Sequence, residues 1–196
     1  MNDLYKTISG PGKGIYKEKM SKFIAFAIPV HTPEEARTFV KSIQNEYHDA
    51  RHVCWAYMIG PDREIWQLND NGEPSGTAGK PILGQINSRQ VTNVAVAVVR
   101  YFGGIKLGTP GLTAAYREAA AAALDDAGIE IRQQTRRIEI SFPYIAVNDV
   151  MKIIKQTSAT VVRQQFDNSC FMTIEIPLSN YESIKTRILG IDGVTE

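Results

Sequence analysis

Apolar positions along the chain recur with two periods, and the switches between them mark out its elements. Residues 14–30 alternate loosely and carry Ile15, Tyr16, Phe23, Ile24, Phe26, Ile28 and Val30, which predicts two strands. Gly10-Pro11-Gly12 ahead of them reads as a mobile lead-in. Thr32-Pro33-Glu34-Glu35 announces a helix: Thr32 can cap, Pro33 suits the first helical position, and Glu35 can bond back. Ala36, Phe39, Val40, Ile43 and Tyr47 then share one face at helical spacing. Residues 53–59 read as a strand closed by the turn Gly60-Pro61-Asp62. Ser75 or Thr77 is placed to cap a short helix through Ile82, Leu83 and Ile86. Residues 94–102 are apolar at nearly every position, which predicts a central strand covered on both faces.

Residues 112–127 predict a second long helix. Its five alanines at 119–123 favour helix and allow close approach to a sheet, and Gly128 is its stop. Beyond residue 135 the pattern restarts. Ile138, Ile140 and Phe142 alternate with Glu139 and Ser141 as in a half-buried strand, and Val147, Val150, Met151 and Ile154 form a helical stripe. Residues 161–166 and 170–176 predict strands joined through Asp167-Asn168. Ser179 and Glu182 are spaced as a capping box for a helix carrying Tyr181, Ile184 and Ile188, with Gly190 ending it before a short final strand. The order βαβ-βαβ is that of a ferredoxin-like unit. The chain therefore divides into residues 1–134 and 135–196.

Composition narrows the function classes. The 196 residues are 43% hydrophobic and 22% charged with a net charge of +1, the profile of an ordinary soluble domain. No basic tail announces nucleic acid, so any such binding requires a local patch. The longest apolar run is too short to cross a bilayer, and the first residues lack an apolar signal-peptide core. Cys54 and Cys170 are isolated from each other and form no spacing motif. These features predict a cytoplasmic protein with no membrane, metal or cofactor partner.

Two glycine-rich stretches frame the central strand. One reads Asp70-Asn71-Gly72-Glu73-Pro74-Ser75-Gly76-Thr77-Ala78-Gly79-Lys80-Pro81. The other reads Arg100-Tyr101-Phe102-Gly103-Gly104-Ile105-Lys106-Leu107-Gly108-Thr109-Pro110-Gly111-Leu112. The first is not a P-loop: Lys80 is not followed by Ser or Thr, and Pro74 stands where that pattern needs its first Gly. The second contains no G-x-G-x-x-G. Strand, glycine loop and helix in succession still offer free backbone N–H groups and a positive helix end to an anion. Arg100, Lys106 and Arg117 bracket that helix start, and Lys80 lies in the partner loop. The alternative is that the glycines only permit tight turns and close packing.

The remaining chemistry-bearing residues admit two readings each. His52-x-Cys54 places two metal-ligand types on one strand face, but no further soft ligand stands at a suitable spacing. Asp49, His52, Asp70 and Glu73 are either an acid–base group or, with Ser75 and Thr77, a polar framework holding the loop. Trp55, Trp66, Tyr101 and Phe102 are either base-stacking platforms or core. No nucleophile elbow is present, and Cys54 beside Val53 and Trp55 reads as core.

At these residues the chain resembles a known family. The stretches are Asp49-Ala50-Arg51-His52-x-Cys54-x-Ala56, Asn71-Gly72-Glu73-Pro74-Ser75-Gly76-Thr77-Ala78-Gly79-x-Pro81, and Val98-Val99-Arg100-Tyr101-Phe102-Gly103-Gly104-Ile105-Lys106-Leu107-Gly108. Together with Gly111-Leu112, Ala115-Tyr116 and the early Lys19, Ser21, Lys22 and Phe23, they resemble the YigZ/IMPACT family in its bacterial two-domain form. The resemblance covers the first two-thirds of the chain. It implies an α+β protein: an N-terminal ribosomal protein S5 domain 2-like domain, then a ferredoxin-like βαββαβ domain, similar to elongation factor G domains IV and V. Pro110 departs from the family's usual Gly and removes one backbone donor. The kinase-restraining role of the eukaryotic member is not expected here, because that member carries an additional adaptor domain.

The resulting expectation is a non-enzymatic protein that binds RNA or the ribosome and modulates translation. Its contact surface would comprise Arg51, His52, Lys80, Arg100, Gly103, Gly104, Lys106, Gly108 and Arg117. The rival is an enzyme or sensor for a small phosphorylated metabolite or nucleotide, with His52, Asp70 and Glu73 as its working groups. A third reading makes the C-terminal domain a protein-binding adaptor.

Overall fold

The computed structural model describes residues 3–167 and 169–196, and it is α+β in two units. One unit is Tyr5–Arg132; the other is residues 3–4 with Gln133–Glu196. In chain order the first half holds β1 (Leu4–Ile8), β2 (Gly12–Glu18), β3 (Ser21–Pro29), α1 (Pro33–Glu46), β4 (His52–Ile59) and β5 (Ile65–Asn69). It continues with α2 (Gly79–Ser88), β6 (Val94–Tyr101), α3 (Gly108–Ala127) and β7 (Ile129–Gln133). The remainder holds β8 (Thr135–Phe142), α4 (Val147–Gln156), β9 (Thr160–Phe166), β10 (Cys170–Pro177) and α5 (Tyr181–Leu189).

The continuous apolar run becomes β6, the middle strand of an antiparallel sheet ordered β2-β3-β6-β4-β5. Its even-numbered residues Val94, Val96 and Val98 join a core under α2 and α3, and its odd-numbered Ala95, Ala97 and Val99 join one under α1. Two covered faces explain why the strand shows no polar alternation. Helix α1 is capped as its sequence predicts, with Thr32 Oγ1 accepting from the Glu35 N–H at 3.1 Å. Glu35 reaches one residue further back, to the N–H of His31 at 2.7 Å.

The expected lead-in at 10–12 is corrected by β1 and by the packing of β2. A Cβ on Gly12 would fall 2.2 Å from the Ala123 carbonyl oxygen, and one on Gly14 would fall 2.5 Å from the Ala123 nitrogen. The strand thus lies directly on the alanine face of α3, which needs glycine on one side and alanine on the other. Strands β1 and β7 pair as a separate ribbon, and β5 is an exposed edge. Helix α3 begins at Gly108, a turn before the expected 112.

The other unit is an antiparallel sheet ordered β8-β10-β9. Ile138, Ile140, Met172, Ile174 and Ile176 pack with Val150 and Ile154 of α4 and Ile184 and Ile188 of α5. Of the expected turn, Asn168 lies outside the described residues. The expected last strand is reduced to a single antiparallel bridge, Ser141 with Thr195. Ser179 does not cap α5: Asn180 precedes the helix without a side-chain cap. The Ser179 N–H instead donates to Asp3 Oδ2 at 2.8 Å, and hydrogen bonding to Ser179 holds the Asp3 carboxyl below its usual pKa. Among the described residues no helix is long and apolar enough to cross a membrane.

Candidate functional site

Strand register sets the floor of the site. Arg100, at the end of β6, lies opposite Phe23 on β3 and opposite His52 on β4. By alternation all three face α3. The Arg100 guanidinium stands 5.6 Å from the ring centroids of both Phe23 and Phe102, so aromatic faces flank it. Phe23 in turn meets Tyr116 of α3 edge-on, with centroids 5.1 Å apart.

A buried charge pair closes the floor. Arg100 Nη1 donates to Glu73 Oε1 at 2.6 Å, with the two side chains 8% and 3% exposed. Tyr116 OH donates to the same oxygen at 2.8 Å, and its oxygen accepts from the Cys54 thiol at 3.3 Å. Burial pushes the Cys54 thiol up to about 12 and pushes the Tyr116 phenol above its usual value, so both are neutral donors. One group is left over: the Nε–H of Arg100 is buried with no partner among the described residues.

The first glycine stretch is folded around Asp70. Its Oδ2 accepts from the Gly76 N–H at 2.8 Å, and its Oδ1 accepts from Ala78 and Gly79 at 3.0 and 2.8 Å. Asp70 therefore caps α2 from a distance. This corrects the expectation that Ser75 or Thr77 does so, since α2 has no side-chain cap at its own start. Thr77 Oγ1 donates to the Pro74 carbonyl, while Ser75 is exposed and outside this framework. His52 Nδ1 lies 2.7 Å from the Asn71 carbonyl oxygen, and Asn71 Oδ1 accepts from the Val53 N–H. Gly72 holds a φ of +83°, which fits the tight turn beneath that histidine.

The second stretch carries the chain from β6 into α3. A Cβ on Gly103 would stand 2.0 Å from the Met20 carbonyl carbon, so this glycine exists for close packing, and its N–H donates to Ser21 Oγ. Gly104 and Gly108 hold φ of +87° and +71°. Helix α3 starts without a side-chain cap, leaving first-turn N–H groups free of one.

Together these pieces line a cleft of about 390 Å³ bounded by Arg51, His52, Arg100, Phe102, Lys106 and the α3 start at Gly108 and Thr109. Of the expected contact residues, the fold brings Arg51, His52, Arg100, Lys106 and Gly108 together and places Gly103 and Gly104 in the connecting loop. Lys80 and Arg117 are exposed and do not line it; Arg117 pairs with Glu118 at 3.4 Å. The acid–base group does not assemble. Asp49 accepts from Tyr101 OH at 2.7 Å, Asp70 is occupied by backbone donors, and Glu73 is held by Arg100 and Tyr116. Among the described residues no group of three His, Cys, Asp or Glu side chains could hold a metal. Of the four aromatics considered, Phe102 alone lines the cleft and is 53% exposed; Trp55 stacks on Tyr57, and Trp66 stands on the β5 edge.

Phe23, Tyr116 and Cys54 escaped the sequence reading as parts of the site. Period-two counting forward from His52 could have found Cys54, and Tyr116 is the one bulky, polar-tipped residue on the alanine face of α3. A second cleft, of about 410 Å³ on the β8-β10-β9 sheet, sets Glu139 and Glu196 beside Arg163 and so has no preference for anions.

Comparisons with known proteins bear on the same stretch. The model of the Impact N-terminal domain matches residues 19–124. The chain is 35% identical over 153 residues to the IMPACT family member YvyE of Bacillus subtilis, covering 78% of this chain and 70% of that protein. It is 30% identical to the IMPACT family member YigZ of Escherichia coli, covering 87% and 84% of the two chains. A solved structure described as a hypothetical protein superposes with a TM-score of 0.71 at 27% identity, covering 96% of this chain and 93% of that one.

Proposed function

The chain belongs to the IMPACT family, in its bacterial two-domain form, and on that premise we propose that it binds RNA or the ribosome and modulates translation without catalysis. One observation carries this reading. A cleft lined by Arg51, Lys106, Arg100 and the uncapped start of α3 also holds an exposed phenylalanine. Cations and free N–H groups suit phosphate, and the aromatic face suits an unstacked base. Glu73 also lines the cleft and cancels the charge of Arg100 at 2.6 Å, so the net positive charge there comes from Arg51 and Lys106. Its partners and those of Asp70 and His52 are internal, which favours a binding surface over a reaction centre.

Under the same reading, Tyr5–Arg132 takes the ribosomal protein S5 domain 2-like fold and Gln133–Glu196 the ferredoxin-like one. The Ser141–Thr195 bridge supports the second assignment. It sets the last segment beside β8 and completes the spatial order four, one, three, two of a split βαβ unit.

Co-sedimentation with ribosomes and free ribosomal RNA across a salt series tests the proposal. We expect binding that weakens with salt, and Arg51→Ala with Lys106→Ala to lower both affinity and slope, by about one slope unit for each phosphate no longer neutralised. Absence of binding at low salt, or unchanged affinity and slope in the double variant, contradicts it.

A further inference from the structure

We propose that the cleft receives a terminal phosphate monoester, the end of a nucleotide or of an RNA chain, with the adjoining base on Phe102. This rests on the reading of the cleft as a phosphate site and adds which kind of phosphate it selects. The argument turns on depth. Arg51 and Lys106 are exposed and can meet any phosphate that passes. Arg100 is different: its side chain is 8% exposed, it lines the same cleft, and its buried Nε–H has no partner among the described residues. A buried donor without an acceptor is a standing cost that a ligand oxygen would remove.

An internal phosphodiester cannot readily supply that oxygen. It is flanked by a ribose on each side, so bringing it to Arg100 would bury strand in both directions. The cleft, about 390 Å³, lies at the small end of ligand-site volumes and suits one nucleotide. A terminal phosphate enters end-on. It also brings three free oxygens and a charge of about −1.5 to −2 near neutrality, where a diester brings two and −1. Those oxygens have candidate donors in Arg100 Nε, the Lys106 ammonium and the N–H groups at the start of α3. Phe102 already lies against the guanidinium at 5.6 Å with half its surface open, and so offers a stacking face beside the phosphate position.

Fluorescence anisotropy with short RNA oligonucleotides of one sequence tests this, comparing ends that carry a 5′-phosphate, a 3′-phosphate or only hydroxyls. Nucleoside monophosphates and the matching nucleosides serve as competitors. The proposal expects at least about tenfold tighter binding of a phosphorylated end, and competition by the monophosphate but not the nucleoside. Arg100→Lys, which keeps the charge but loses the planar fork, should abolish that preference. If that variant fails to fold, Phe102→Ala, at an exposed position, should weaken the phosphorylated end and the monophosphate alike. Equal affinity for all ends overturns the inference and leaves the RNA reading of the cleft standing. Binding of monophosphates without any oligonucleotide supports the inference and removes the RNA reading. Binding of neither removes both.

Discussion

At the residue scale, the site depends on a few buried polar groups whose partners are shared. Glu73 accepts from Arg100 and Tyr116, and Tyr116 accepts from Cys54, so each side chain holds another in place. The pH response of this chain follows from its shifted groups. The folded Cys54 thiol is raised from 9.0 to about 12 by burial, so its contribution to stability is complete below pH 9 and is lost as pH climbs from 9 toward 12. Tyr116 is raised too and acts in the same direction from its usual 10.0 upward. Melting temperature measured from pH 8 to 12 should therefore fall across that window. Cys54→Ala should flatten the fall between pH 9 and 10, whatever its effect at neutral pH; an unchanged slope there would show that Cys54 is not responsible. Arg100 and His52 stand out in the sequence because they are charged or titratable beside glycine loops. Cys54 and Tyr116 do not, since a buried hydrogen-bond chain between strand and helix leaves no local pattern.

At the element scale, the long periodic segments were legible and the junctions were not. The apolar run of β6, the capped start of α1 and the alanine face of α3 each follow from local sequence. Strands β1, β5 and β7 were missed. β5 and β7 are mostly exposed, and β1 is a short strand with only Thr7 and Ile8 deeply buried, so none shows a sustained hydrophobic alternation. The start of α2 was misread for a related reason: its cap is Asp70, nine residues before Gly79. Asp70→Ala should leave the N–H groups of Gly76, Ala78 and Gly79 without their acceptor, at a cost of about 2–3 kcal/mol. Asp70→Asn should recover part of that through its remaining carbonyl oxygen. Urea denaturation midpoints for the two variants check this, and equal losses would show that the charge rather than the bonding geometry matters. Ser75→Ala should leave the midpoint unchanged.

At the scale of the whole molecule, every residue of the cleft belongs to Tyr5–Arg132, the stretch that also contains the family match at 19–124. Near-neutral overall charge says little about such a protein, because the positive field is local: two exposed cations and a helix end around one opening, beside the neutralised Arg100–Glu73 pair. Sequence alone pointed to the two loops and named Lys80 and Arg117 beside them. Both sit near glycines in sequence, and only the fold shows that they line no part of the cleft. The central claim is that RNA is held at this opening, and backbone amide NMR during titration with a short RNA tests it most directly. Shifts concentrated at Phe102, Lys106, Gly108 and Thr109, with smaller ones at Arg51 and His52, are the predicted result. Shifts confined to Gln133–Glu196, or none at saturating RNA, would contradict it.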